Sequence, residues 1–353
     1  MHRSKYLFVV KARECNHPIG KVAFIRVLSL IMKTDFSVNN CQKHLHAIIE
    51  LIWPHGDKLN SYDFANTEVL RIIEASNLTL FERDQMHRAS GDKQIYDPLF
   101  PSYNANHVPN TNYIAAEGPN DVGINGLPVH GCIARFFENT LFNQAFPIKL
   151  IFAIGRFGNG DIRGDFTHYF KEGTQFYSTF DASSYYIVKS QRLSQVRNEV
   201  IVASSALGLV LPLHVTTQSE EVLHLYELLV ENPSGSLQTA HLFWLPVDDL
   251  QPLLPYPQVI LTLAQVYNFS RLEPAIIHCA AGVGRTGTAI LVFEILDHFL
   301  SIFSQPNPVY MANQICKLLQ SIRNIRPAFI TTKKQFESAI QCAIDIYSFR
   351  TKN

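Results

Sequence analysis

The sequence predicts an α/β domain in which a twisted mixed sheet is flanked by helices on both faces. Short apolar runs such as "PIKLIFAIG" and "AIIHC" alternate with longer segments of helical spacing, among them "GCIARFFENTLFNQA" and "PQVILTLAQVYNF". That alternation places strands in one sheet and helices on its faces. The chain also has the material for a core of this size: 47% of its 353 residues are hydrophobic and only 17% are charged.

Taken in order, residues 1–61 read as an accessory helical segment and residues 62–353 as the main domain. "VAFIRVLSLIM" and "HLHAIIELIW" both look helical in the first segment, where no chemistry is visible. Helical spacing returns in "NTEVLRIIEASNLTLFERDQM" and in "GCIARFFENTLFNQA", and "PIKLIFAIG" then suits a buried strand. Further strands are expected in "SYYIVKS", "NEVIVASSALGLVLPLHV", "VLHLYELLVE" and "QTAHLFW". "PQVILTLAQVYNF" is a helix, "AIIHC" a strand, and "GTAILVFEILDHFLSIF" one long helix apolar on most faces, which belongs in a core. Helices around 309–323 and 332–347 close the chain.

Composition excludes several classes of function. Thirty basic and thirty acidic residues cancel, so no basic excess points to nucleic acid. Cys15, Cys41, Cys132, Cys279, Cys316 and Cys342 form no CxxC pair and no zinc-ligand spacing. They read as free thiols of a reducing, intracellular compartment. No stretch approaches the roughly 18 apolar residues of a membrane span, and "SKYLFVVKARE" is too soon interrupted by charge for a signal peptide.

The chemistry concentrates in "AIIHCAAGVGRTGTAILVF". A strand ends at Cys279 and a helix begins near Arg285, so the intervening backbone N–H groups of Ala280, Ala281, Gly282, Val283 and Gly284 can curl into a concave nest. A nest at a helix N-terminus binds tetrahedral oxyanions, and its positive field favours the thiolate of Cys279. Arg285 offers a planar fork for two phosphate oxygens, and Thr286 can donate its hydroxyl to the cysteine sulfur. The arrangement suits in-line attack of the thiolate on phosphorus, a cysteinyl-phosphate intermediate and its hydrolysis by water, with no metal or other cofactor required.

"HCAAGVGRTG" matches every fixed position of the His-Cys-x2-Gly-x2-Arg-Ser/Thr loop, and here the chain resembles the protein tyrosine phosphatases. The resemblance runs from about residue 62 to 348 in the order of the tyrosine-specific branch. "IYDPLFP" resembles its substrate-pocket segment, which implies that Tyr96 stacks on the phosphotyrosine ring. "NYIAAEGP" resembles its Tyr-Ile-Ala-Thr-Gln-Gly-Pro motif, and "RFFENTLFNQ" the helix that follows. "RNIRPAFITTKKQF" matches its terminal stretch, with Arg323, Arg326, Thr332 and Gln335 in register. What the resemblance implies is a phosphotyrosine-protein phosphatase with Cys279 as nucleophile, Arg285 as phosphate clamp and Gln335 supporting hydrolysis.

The sequence departs from the family pattern in three places. The general-acid loop reads "AHLFWLPVDDLQP", with no intact Trp-Pro-Asp. Counting back from Pro252 selects Asp248 as the acid, whereas counting forward from His241 selects Asp249. Trp244, Pro246 and Asp248 keep the motif's order with single insertions, which favours Asp248. Thr331 stands where the first of two water-positioning glutamines is expected, so breakdown of the intermediate should be slow. Ile95 replaces an arginine that is mainly structural.

Two other readings stay open: a phosphotyrosine-binding module without turnover, motivated by the altered acid loop, and a phosphoinositide phosphatase. The lysines that lipid-specific relatives place inside the loop are missing, which disfavours the second. Such divergence fits a microbial or viral protein delivered into a host cell.

Overall fold

The computed structural model describes residues 42–53, 103–119, 132–143, 145, 147–157, 166–179, 181–193, 224–248, 251–254, 256–326 and 329–352. Three segments given an expected structure, "VAFIRVLSLIM", "NTEVLRIIEASNLTLFERDQM" and "NEVIVASSALGLVLPLHV", lie outside those residues. So do Tyr96 and Asp249.

The sheet has eight strands among the described residues: β1 (Ala105–His107), β2 (Tyr113–Glu117), β3 (Leu150–Ile154), β4 (Gly173–Ser178), β5 (Tyr185–Arg192), β6 (His224–Glu231), β7 (Leu237–Leu245) and β8 (Ala275–Cys279). Their spatial order is β1-β2-β8-β3-β7-β6-β5-β4. β2, β8, β3 and β7 run parallel to one another, and the flanking pairs are antiparallel. This is the mixed sheet expected from the sequence. β3 and β8 are buried at every position, which is why they read as unbroken apolar runs: strands covered on both faces have no solvent side to mark with polar residues. β5, near the edge, instead alternates between buried and exposed positions.

Helices cover both faces. On one lies α2 (Cys132–Thr140), whose Phe136 and Phe137 pack with Tyr169, Phe170 and Ile276 in one apolar cluster. A larger cluster fills the opposite face. It is built from α3 (Pro257–Ser270), α4 (Gly284–Asp297), α5 (Phe299–Phe303), α6 (Pro308–Ile325) and α7 (Lys333–Lys352). α4 is buried continuously from Arg285 to Phe293, as an all-round apolar helix must be. α6 begins at Asn307, whose side-chain oxygen accepts from the N–H groups of Val309 (3.0 Å) and Tyr310 (3.2 Å), with Pro308 at the first helical position.

The expected long helix through "GTAILVFEILDHFLSIF" is broken. His298 leaves helical geometry at φ −108°, ψ 10°, and the chain turns so that Phe299, Ile302 and Phe303 are buried. Phe299 then stacks on Tyr347 with ring centroids 3.8 Å apart. The gain in aromatic burial outweighs helical continuity at one exposed histidine.

Helix α1, residues 42–52, packs on the same face. Ile48, Ile52 and Trp53 are fully buried, the Trp53 ring lies 5.8 Å from that of Phe336, and Glu50 pairs with Lys333 at 2.7 Å. Truncation of Trp53 to alanine should therefore cost about 3–5 kcal/mol in urea unfolding. A loss within about 0.5 kcal/mol, the range of an ordinary surface change, would mean that this helix is not part of the core.

Candidate active site

The end of β8 delivers Cys279 to the C-terminal edge of the parallel strands, where α/β sheets commonly place their ligands. The thiol is free and almost fully buried. The following loop reaches the first turn of α4 within five residues. At Gly282 it takes φ +68°, and a Cβ there would sit 2.1 Å from the Ala116 carbonyl oxygen. Only glycine lets the loop pass so close to β2.

Two contacts hold the loop's carbonyls outward. Gly118 N–H donates to the Ala280 carbonyl (2.9 Å), and Arg326 Nη2 donates to that of Ala281 (2.9 Å). Because a trans peptide points its C=O and N–H in opposite directions, the N–H groups of Ala281 and Gly282 turn to the concave side. The backbone thus presents donors inward, as an anion nest requires.

Arg326 itself is 1% exposed. Its Nη1 donates to Asn104 Oδ1 and Asn106 Oδ1, each at 2.9 Å. Burial lowers its pKa, opposed by the charges of Glu117 and Cys279. The guanidinium is thus close enough to the thiol for their charges to interact.

Arg285, likewise 1% exposed, donates from Nη1 to the Val247 carbonyl at 2.8 Å. A Cβ on residue 155 would come within 2.8 Å of that nitrogen, and Gly155 leaves the space for it. The contact draws the end of the β7 loop onto the cradle and places Asp248 at its rim. Asp248 is exposed and forms an ion pair with Arg156, Nε to Oδ1 2.8 Å.

On the far side, Arg323 donates to the carbonyls of Phe329 and Ile330, both at 2.7 Å, and fixes the turn before α7. Gln335 projects from that helix, fully buried, and its Oε1 accepts from Thr331 N (3.0 Å) and Thr331 Oγ1 (2.9 Å). A Cβ on Gly284 would lie 2.9 Å from Gln335 Nε2, so this amide sits against the loop. Among the described residues, the buried Gln335 Nε2, Arg326 Nε and Thr286 Oγ1 have no hydrogen-bond partner. The expected donation from Thr286 to the Cys279 sulfur is therefore not made. Buried donors without partners are costly, and the Gln335 amide that sits against the loop is a donor suited to an anionic ligand there.

The structure brings Cys279, the Ala280–Gly284 backbone, Arg285, Thr286, Gln335 and the neighbourhood of Asp248 to one place. Sequence reading gave no role to Arg156, Asn104, Asn106 or Tyr169, and to Arg326 only a place in register. Tyr169 meets His278 through its hydroxyl, 2.6 Å from Nε2, while His278 Nδ1 lies 3.3 Å from the Cys279 carbonyl. A carbonyl only accepts, so Nδ1 carries the hydrogen and Nε2 accepts from Tyr169. Burial, the dominant cause, with the Arg285 charge adding to it, lowers the pKa of His278 to about 3. The imidazole is a neutral structural spacer behind Cys279.

Among the described residues no group of three or more His, Cys, Asp or Glu side chains is gathered for a metal ion. No helix among them is long and apolar enough to cross a membrane.

Residues 209–345 match the protein-family model described as protein-tyrosine phosphatase. Tyrosine-protein phosphatase 2 of Dictyostelium discoideum is 32% identical over 66 residues, 19% of this chain and 17% of that protein. Receptor-type tyrosine-protein phosphatase epsilon of Rattus norvegicus is 33% identical over 82 residues, 23% of this chain and 11% of that protein. The chain thus spans less than a fifth of these relatives' own length. Among solved structures, the Trypanosoma cruzi protein tyrosine phosphatase TcPTP1 superposes with a TM-score of 0.48 at 14% identity, covering 78% of this chain and 89% of that one.

The buried neutral His278 has a stability consequence. Its folded pKa lies below the ordinary 6.5, so between about pH 6.5 and 3 only the unfolded chain takes up this proton. Stability should rise with pH across that window, with a slope from this group of up to about 1.4 kcal/mol per pH unit. Urea unfolding of wild type and His278→Gln at pH 4.5 and 6.5 measures it. An equally steep dependence in both proteins would remove His278 as the source.

Proposed function

We propose that this chain is a protein-tyrosine phosphatase, a reading that the family match of residues 209–345 supports, and that it hydrolyses phosphotyrosine in proteins through a cysteinyl-phosphate. The observation that carries the reading is the cradle itself: a buried thiol at the strand end, inward-turned amides and a buried arginine around one loop. Cys279 Sγ attacks phosphorus as the bond to the tyrosine oxygen breaks. Asp248 gives that oxygen its proton, and the loop amides and Arg285 stabilise the charge on the equatorial oxygens. Water then attacks the thiophosphate, losing a proton to the Asp248 carboxylate, and Cys279 leaves as thiolate.

The contact between Arg285 and the residue before Asp248 supports this aspartate as the acid. Thr331 and Gln335 are the pair that receives the hydrolytic water. With the Gln335 Oε1 already accepting twice from Thr331, its attack is the slow step. Tyr96 supplies the ring-stacking wall that restricts the pocket to phosphotyrosine. Free thiols support work in a reducing compartment such as the cytosol, reached by delivery into a host cell if the source is microbial or viral. Residues 1–61 are an accessory segment to a catalytic domain of residues 62–353, and their part from 42 to 53 packs into the same core.

Turnover of a phosphotyrosine peptide by wild type, Cys279→Ser, Asp248→Ala and Asp249→Ala tests the assignment. Cys279→Ser should lose activity yet bind the peptide, and Asp248→Ala should fall about 10²–10⁴-fold, with Asp249→Ala close to wild type. An active Cys279→Ser protein contradicts the mechanism. A collapse confined to Asp249→Ala moves the acid by one residue.

A further inference from the structure

We infer that Arg156 is a positioning residue for Asp248, holding its carboxylate in place for the second half of the reaction. The inference rests on the reading of Asp248 as acid and base. Arg156 reaches Asp248 from a different element, just past the end of β3, at 2.8 Å.

The backbone that carries Arg156 is tied down on every side described. Gly155 N–H donates to the Leu245 carbonyl (2.9 Å), and Trp244 Nε1 donates to the Gly155 carbonyl (2.7 Å). The Phe157 ring is stacked between His168, 3.6 Å away at 7°, and Trp244, 4.5 Å away at 24°. Phe157 also bridges to Phe166, whose ring meets His278 at 4.8 Å, one residue before the nucleophile. Residues 155–157 are thus a splint between the strand end of Cys279 and the loop of Asp248.

Two arginines then hold two consecutive residues in different ways. Arg285, buried, fixes the Val247 backbone. Arg156, 62% exposed, holds the side chain of Asp248, 53% exposed. A guanidinium pairs with the carboxylate and not with the protonated acid. The pair is therefore broken while Asp248 carries the proton for the leaving tyrosine. It re-forms when that proton has passed to the tyrosine oxygen. At that point the carboxylate must stay at the cradle while tyrosine departs and water enters, and there take the water's proton as the O–P bond forms and the S–P bond breaks. Arg156 acts on that interval.

An exposed pair is weak, so the effect is modest. In Arg156→Ala, kcat for an aryl phosphate should fall about threefold without a fall in kcat/KM, because kcat/KM ends with loss of the leaving group. The fraction of enzyme trapped as cysteinyl-phosphate by rapid acid quench should rise, and Arg156→Lys should recover part of kcat. A parallel fall of kcat and kcat/KM, or an unchanged kcat and trapped fraction, overturns the role of Arg156. Failure of the underlying reading looks different: no cysteinyl-phosphate is trapped in wild type, or Asp248→Asn leaves both parameters unchanged.

Discussion

The guanidinium of Arg326 ties the far end of the chain to the back of the phosphate loop, and the site's geometry depends on that tie. It draws the Ala281 carbonyl outward, and peptide planarity then turns the next N–H inward. A charged group this deep needs hydrogen-bond partners. The side chains of Asn104 and Asn106, at the start of β1, supply them to Nη1. One side chain therefore joins the first strand, the Cys279 loop and the last turn before α7.

Around this buried heart the site is graded in exposure. Cys279, Arg285, Arg326 and Gln335 are packed beyond the reach of bulk water, as suits groups that must hold charge and geometry before a phosphate arrives. Asp248, proposed above as the acid, sits at the rim, exposed and paired with Arg156. Burial at the centre strengthens electrostatic interactions there.

Those parts of the fold written in contiguous residues were legible in the sequence. "AIIHC" is a buried parallel strand, and the run from Cys279 to Thr286 carries the buried thiol, the turn at Gly282 and the buried arginine within eight positions. Contacts across long separations were not legible. Arg326 meets Asn104 across 222 residues, and Tyr169 meets His278 across 109; no local pattern marks either pair. The break at His298 escaped for a related reason. Periodicity sees an apolar run, whereas the bend is decided by the Tyr347 ring on which Phe299 stacks. Arg156 escaped because a lone exposed arginine after a strand has no distinctive neighbourhood until β7 is laid beside it.

In the proposed reaction Cys279 takes the phosphoryl group covalently within the loop that Arg326 and Arg285 shape. Rapid acid quench during turnover of a phosphotyrosine peptide, followed by peptide mass spectrometry, tests it most directly. One phosphoryl group is expected on the peptide containing Cys279 in wild type and none in Cys279→Ser. Steady turnover with phosphate on another residue, or with no phosphorylated peptide at any quench time, would contradict it.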